Sequence, residues 1–279
     1  MAEKFTYHTL NEESEIVVST KEDIVAQLKT LGLKRGMVVL VQADMEKMGY
    51  FVGGVQTLIT ALMDTVGYEG TIVVPTFTPY LVDPACARES ISRMYWKDIR
   101  KGALPFDKKL SMPDATDQFA NQFLRNEGVV RSYHPLYSFA AWGKYAKLIV
   151  DKHPLHFGLN QDSPLGKIVE FDGYVLSLGI PYDQHVIFKL ALYQAANLPI
   201  KIVEAPIENN EHIELKAMLD YDQKNTRMKG IKELMEERNL VQKNFIATAP
   251  CMLYASREAI DLATSYYRNH SEDTMMEAN

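Results

Sequence analysis

His134 opens the decapeptide HPLYSFAAWG at 134–143, and a histidine, whose ring changes charge near neutral pH, is here a candidate general base, a cofactor contact or a structural hydrogen-bonder. Tyr137 and Ser138 follow it; the phenol can donate a hydrogen bond but is a poor base at neutral pH. Gly49, Gly53 and Gly54 suggest a second chemistry, because small residues ahead of a helix let a phosphate approach backbone amides, although they equally suit a plain tight turn. Their spacing is neither the dinucleotide fingerprint nor a phosphate-binding loop with its lysine. Glu204, Glu208, Glu211, Glu214, Asp220 and Asp222 supply carboxylates for the ammonium groups of a cationic ligand, or simply a solvated surface.

The elements that must position these residues read as an α/β chain. Thr20 with Asp23 three residues on predicts a capped helix that carries Ile24, Val25, Leu28 and Leu31 to a stop at Gly32. The apolar runs Met37 to Val41 and Thr71 to Phe77 read as strands covered on both sides, and Val55, Leu58, Ile59, Leu62, Met63 and Val66 between them recur at helical spacing. Strand, helix, strand in that order implies a parallel crossover. Residues 79–115, with four prolines and no clear period, read as a long surface excursion of the kind that closes over substrates. Helical patterns return at 116–125 and 144–152, GYVLSLGI at 173–180 is a third buried strand, and Asp183 can cap a helix running through about 196. The charged segment 204–243 reads as a solvated loop and helix, and Ser256 to Tyr267 as a last helix with a capping serine. The expected fold is a single α/β domain over 1–279, with a central mixed, mostly parallel sheet flanked by helices.

Composition narrows the classes. Of the 279 residues 47% are apolar, enough for a substantial core, and the formal charge of −6 with no basic block argues against nucleic acid. The two cysteines, Cys86 and Cys251, are too few for a disulfide framework and lack the pairing of a zinc site, so structural thiols and no metal are expected. The acidic first residues make no secretory leader, and no apolar run approaches the roughly 20 residues of a membrane helix. A soluble cytoplasmic protein without membrane contact is expected, its oligomeric state open.

Several blocks then carry a resemblance. LKTLGLKRGMVVLVQADMEKMGYFVGGVQTLITALMDTVGYEGTIVVPTFT (28–78), GVVRSYHPLYSFAAWG (128–143), DSPLG (162–166) and GYVLSLGIPYD (173–183) resemble, in order and spacing, the aminoglycoside 3-N-acetyltransferase family, the type unrelated to the common N-acetyltransferase superfold. The resemblance covers roughly 20–200. It implies acetyl-CoA as co-substrate, with Gly49, Gly53, Gly54, Thr76 and Ser138 on the cofactor side and Tyr137 and Asp162 on the substrate side. It also implies departures: the family's His-Ser-Ser segment is Gln42, Ala43 and Asp44 here, Tyr137 replaces a second histidine, and the helical histidine and glutamate fall at Lys189 and Leu192. Asp44 would repel a phosphate unless it faces away or pairs with Lys47. Leu192 cannot ionise, and Lys189 needs a strongly depressed pKa to act as a base. The catalytic candidates are therefore His134, Lys189 and His185, the last one turn before Lys189 on the predicted helix, with Asp183 or Asp162 to orient it.

The function expected is transfer of an acetyl group from acetyl-CoA to the 3-amino group of an aminoglycoside or a related aminated sugar, by direct attack of the amine on the thioester. The alternatives are a member that binds a CoA-like or aminosugar ligand without transfer, and an acyltransferase for another amine. Fold alone does not separate them.

Overall fold

The computed structural model describes residues 17–87, 91–195, 198–210, 212–222 and 230–270; Glu211, one of the candidate carboxylates, lies outside them. Strand β1 (Val18–Ser19) leads into helix α1 (Lys21–Leu31). The helix starts as the sequence dictates: the Asp23 amide donates to the Thr20 hydroxyl at 3.3 Å while the Thr20 amide donates to the Asp23 carboxylate at 2.9 Å. Gly32, at φ 107°, ends it in the left-handed region. Then come β2 (Val38–Ala43), β3 (Tyr50–Phe51), α2 (Val55–Val66), β4 (Thr71–Pro75), α3 (Trp96–Gly102), α4 (Gln118–Phe123), β5 (Val130–Arg131) and β6 (Phe139–Gly143). Helices α5 (Ala146–Val150) and α6 (Pro164–Glu170) precede β7 (Tyr174–Leu178) and α7 (Phe188–Ala195). Strands β8 (Ile200–Asn209) and β9 (His212–Tyr221), helix α8 (Ile231–Glu237), strands β10 (Gln242–Ile246) and β11 (Ala249–Ala255) and helix α9 (Ser256–Asn269) complete the order.

The seven-stranded main sheet runs β10-β11-β7-β2-β4-β6-β5. It is mixed as expected, but its parallel part is confined to the centre, β7-β2-β4, with antiparallel strands on both flanks. Alternation along β2 divides the core. Val39 and Val41 face α1, α2 and α4 among Leu28, Leu58, Leu62 and Phe123, whereas Val38 and Leu40 face α5, α6, α7 and α9 among Ile149, Ile168, Leu190 and Tyr267. No described helix is long and apolar enough to cross a membrane.

Three expectations change. Strands β8 and β9 form an antiparallel hairpin where a charged loop was expected, because Val203 and Ala205, with Met218 of β9, turn inward onto Leu81, Phe106 and Leu136. The 79–115 excursion contains α3 and lies along that hairpin: the Asp83 amide donates to Glu204 O at 2.7 Å and the Phe106 amide to Pro206 O at 3.1 Å. Its Asp83 carboxylate, fully buried, takes a bidentate grip from Arg100 at 2.7 and 2.9 Å. Finally, Ser256 is the first residue of α9 rather than its cap, its amide donating at 2.9 Å to Gly173 O.

Thr20→Ala removes one side of the capping box; urea unfolding is expected to show a loss of about 1 kcal/mol.

Candidate active site

Neighbouring strands β2 and β7 run parallel, with Ala43 opposite Leu178 at their carboxyl ends, yet their chains leave towards opposite faces of the sheet, β2 to α2 and β7 to α7. A crevice must open between the two departing loops, and in open α/β sheets this is where ligands bind. The structure has a cleft of about 1230 Å³ there, whose wall includes Lys47 after β2, Gly179 to Asp183 after β7, Lys189 on α7, Lys232 and Glu236 on α8, and Phe245 and Met252 from β10–β11.

The loop after β2 is organised by its own charges. Asp44 accepts from the Glu46 amide at 3.1 Å and pairs with Lys47 at 2.7 Å, while Lys47 Nζ donates to Gly179 O at 2.9 Å. The repulsion that Asp44 would offer a phosphate is thus offset by its lysine. Gln42 ties the two loops across the crevice: its Nε2 donates to Gln184 O at 3.1 Å and its Oε1 accepts from the Val186 amide at 2.8 Å. Gly49, Gly53 and Gly54 all take positive φ, 75°, 91° and 69°, between β2 and α2, and Gly54 is the cap of α2; none lines the cleft.

The helix expected from Asp183 begins later. Tyr182–Gln184 is a single 3-10 turn, His185 is extended at φ −70° and ψ 114°, and α7 starts at Phe188, so His185 and Lys189 share no helical face. His185 is 1% exposed; its Nε2 hydrogen-bonds Ile180 O at 3.1 Å and must donate, which leaves Nδ1 to accept from the Tyr254 hydroxyl at 2.7 Å. Burial pulls its pKa down to about 4, against smaller raising effects of the Ile180 carbonyl and Asp183. With both nitrogens engaged in the core, His185 is a neutral structural histidine and corrects the expectation of a base beside Lys189. Asp183 is exposed and lines the cleft with Lys189; Leu192, by contrast, is fully buried.

The HP segment sits two strands away, where β4 ends and β6 begins. His134, 1% exposed, uses Nδ1 to accept from the Leu136 and Tyr137 amides at 3.1 and 3.0 Å, so its proton is on Nε2. Its ring lies 4.8 Å from that of His153, tilted by 41°; His153 Nε2 donates to Gly158 O at 2.7 Å and its Nδ1 accepts from Ser132 at 2.8 Å. Burial holds the His134 pKa well below the usual imidazole value, and burial brings His153 to about 4. Thr76 and Ser138 are 3.1 Å apart and both accept from Arg131 Nε, at 3.1 and 3.0 Å. Arg131 is itself buried, with its pKa pulled down to about 10 by burial. Tyr137 donates to one oxygen of Asp220 at 2.6 Å, Tyr193 on α7 donates to the other, and the Tyr221 amide adds a third bond at 2.9 Å. Asp220, 2% exposed, is therefore no surface carboxylate but the point where the HP segment, α7 and β9 meet. Asp162 faces solvent in the turn before α6, outside the cleft wall, and no described residue of 79–115 reaches that wall. The sequence did not single out Tyr182, Tyr193 and Arg131; Arg131 and Tyr182 lie inside the blocks 128–143 and 173–183, a signal that could have found them, whereas Tyr193 is revealed only by its bond to Asp220.

Because His185 is neutral in the fold, the unfolded chain binds a proton near pH 6.5 that the fold excludes until about pH 4. His134 acts in the same direction. Stability is complete above about pH 6.5 and falls as pH drops towards 4, by about 3 kcal/mol for His185 at 1.36 kcal/mol per pH unit. Urea midpoints measured across that range check this; a flat profile contradicts it.

The family sequence profile described as aminoglycoside 3-N-acetyltransferase matches residues 40–268. The chain is 34% identical over 260 residues to the SPbeta prophage-derived aminoglycoside N(3')-acetyltransferase-like protein YokD of Bacillus subtilis, covering 92% of this chain and 96% of that one. It is 37% identical over 171 residues to aminoglycoside N(3)-acetyltransferase IX of Micromonospora chalcea, covering 59% and 58% of the two chains. Among solved structures, YokD superposes with a TM-score of 0.86 at 33% identity, covering 91% of this chain and 94% of that one. A structure described as AAC-IIIb binary with CoASH superposes with a TM-score of 0.79 at 26% identity, covering 90% and 97%.

Proposed function

Because the chain belongs to the aminoglycoside 3-N-acetyltransferase family, we propose that it transfers acetyl from acetyl-CoA to the 3-amino group of an aminoglycoside or a related aminated sugar, in the cleft between the β2 and β7 loops. The observation that carries this reading is the cleft itself, placed by sheet topology and lined by both cations and apolar groups. The fit to the cofactor rests on chemistry: Lys47 and Lys232 can meet phosphates while Ile180, Pro181 and Met252 cover a less polar arm. The CoASH-bound relative supports the same assignment. Acetyl-CoA would supply an acetyl group already activated as a thioester.

The chain's own residues then act as follows. Lys189 presents its cation to the oxygen that gains charge as the amine attacks, a role that a lysine fills without losing its proton. Asp183 and Glu236, on the same wall, hold the acceptor's ammonium groups. The nitrogen–carbon bond would form and the carbon–sulfur bond break, with the sulfur leaving as a thiolate that takes up, through water, the proton the nitrogen loses, so that amide and free thiol are the products. Among the described residues no histidine lines the cleft, so the reaction draws on acceptor amine that is already neutral. His134 and Asp220 serve as positioning residues, through Tyr137 and Tyr193.

A second reading, a member that binds without transfer, draws on Leu192, a buried leucine that supplies no carboxylate. Release of thiol from acetyl-CoA in the presence of an aminoglycoside panel separates the two. Turnover is expected, with a rate that climbs steadily with pH rather than levelling near the histidine range, and CoA is expected to raise the melting temperature. Lys189→Met is expected to lower kcat/KM at least tenfold, about 1.4 kcal/mol. Absence of both turnover and a CoA-dependent melting shift overturns the assignment.

A further inference from the structure

The β8–β9 hairpin is engaged on its inner face and along both edges, and bare on its outer face. Its inward residues pack on Leu81, Phe106 and Leu136. Along β8 the Asp83 and Phe106 amides donate to Glu204 O and Pro206 O; along β9 the Phe157 amide donates to Leu219 O at 2.7 Å and the Leu219 amide to His156 Nδ1 at 3.0 Å. A partner for the outer face therefore packs through side chains and does not extend the sheet. The register puts Ile200, Ile202, Ile213, Leu215 and Leu219 together on that face, where Ile200 and Ile202 are each 60% exposed. Chains that act alone in water rarely leave such a row of apolar side chains uncovered. A neighbouring segment shares the condition: the 3-10 turn Arg93–Tyr95 and helix α3 contain no buried residue, although they carry Met94, Tyr95 and Ile99. A seven-residue helix without a buried face has little to hold it. What fastens α3 is Arg100, which also places the helix beside the bare face. Arg100 grips Asp83, the residue that bonds Glu204 O, and its pKa is raised by Asp83 and, to a smaller degree, by the charge of Glu204, which shares the outward face with Ile202.

We propose that the outward face of β8–β9 and helix α3 together form an isologous interface with a second copy of this chain. The two parts differ in sign. The outward face of the hairpin holds Glu204 and Glu208 and no cation, whereas residues 93–101 hold Arg93, Lys97, Arg100 and Lys101 against Asp98 alone. An apolar surface with acids on one part and bases on the adjoining part matches a copy of itself turned about a two-fold axis, the helix of each meeting the hairpin of the other. The same division of sign argues against a membrane, whose anionic headgroups attract the helix but repel the hairpin. The exposed apolar side chains of the two segments offer on the order of 800 Å² per copy, the share that a specific interface takes from each partner.

Sedimentation velocity of the full-length protein at rising concentration is expected to show a monomer–dimer equilibrium. Ile202→Glu is expected to raise the dimer Kd at least about tenfold, because a charge is then buried at the interface, while the melting temperature of the dilute protein stays unchanged. Charge reversal tests the two-fold arrangement itself. Lys97→Glu and Glu208→Lys are each expected to weaken dimerisation about threefold or more, whereas an equimolar mixture of the two recovers the unmodified affinity, since each helix then meets a hairpin of opposite sign. A protein that stays monomeric at every concentration overturns the proposal, and so does a dimer that Ile202→Glu leaves intact. A mixture no tighter than the single variants overturns the two-fold arrangement. Flotation of the protein with phosphatidylcholine vesicles, lost in Ile202→Glu, assigns the face to lipid and overturns the proposal likewise.

Discussion

The parallel pairing of β2 with β7 is the constraint on which the rest depends. Parallel neighbours cannot be joined by a tight turn, so each must send its chain over a face of the sheet, and here the two take opposite faces. The cleft is a product of that divergence. The antiparallel hairpin β10–β11, added beyond β7, gives the cleft its far wall, and α8 leans over the same side. The two hydrophobic layers, one on each side of β2, keep the strand ends from shifting and so fix the spacing of Lys47 and Asp183.

Around this frame, polar side chains that look chemical in the sequence act as fasteners. Arg131 holds Thr76 and Ser138 and also reaches the carbonyls of Lys108 and Ser111. Asp220 holds two phenols from different elements, and His134 holds its own turn. Each is a buried polar group whose partners are supplied from elsewhere in the chain, and removing one side leaves the other unpaired. Such a network fixes geometry more than it adds net stability. The polar residues of the HP segment thus support the scaffold.

What was legible in the sequence follows from where the determining contacts lie. The α1 capping box, the Gly32 stop and the β2-α2-β4 unit are set by residues within a few positions of one another, and each appears where the spacing placed it. The β8–β9 hairpin was hidden because its exposed positions are apolar too: Ile202, Ile213, Leu215 and Leu219 face solvent while Val203, Ala205 and Met218 are buried, so no alternation of apolar and polar residues marks the strands. The fate of His185 was not legible at all, since it is decided by Tyr254, 69 residues away in sequence. The placement of Lys189 at a cleft came through the resemblance; its lining partners on α8 and β10–β11 did not, because only the tertiary fold brings them to it.

Gln42 couples two loops that the chain order keeps far apart. Its two hydrogen bonds reach both Gln184 and Val186, so one side chain measures the width of the gap between two loops that are more than a hundred residues apart. A shorter amide would span neither bond and a carboxylate would lose the one to the carbonyl. Replacement at this position therefore releases the turn at 181–186, the turn that bears Asp183, from the strand-end of β2. The width of the crevice is set by a side chain that never enters it.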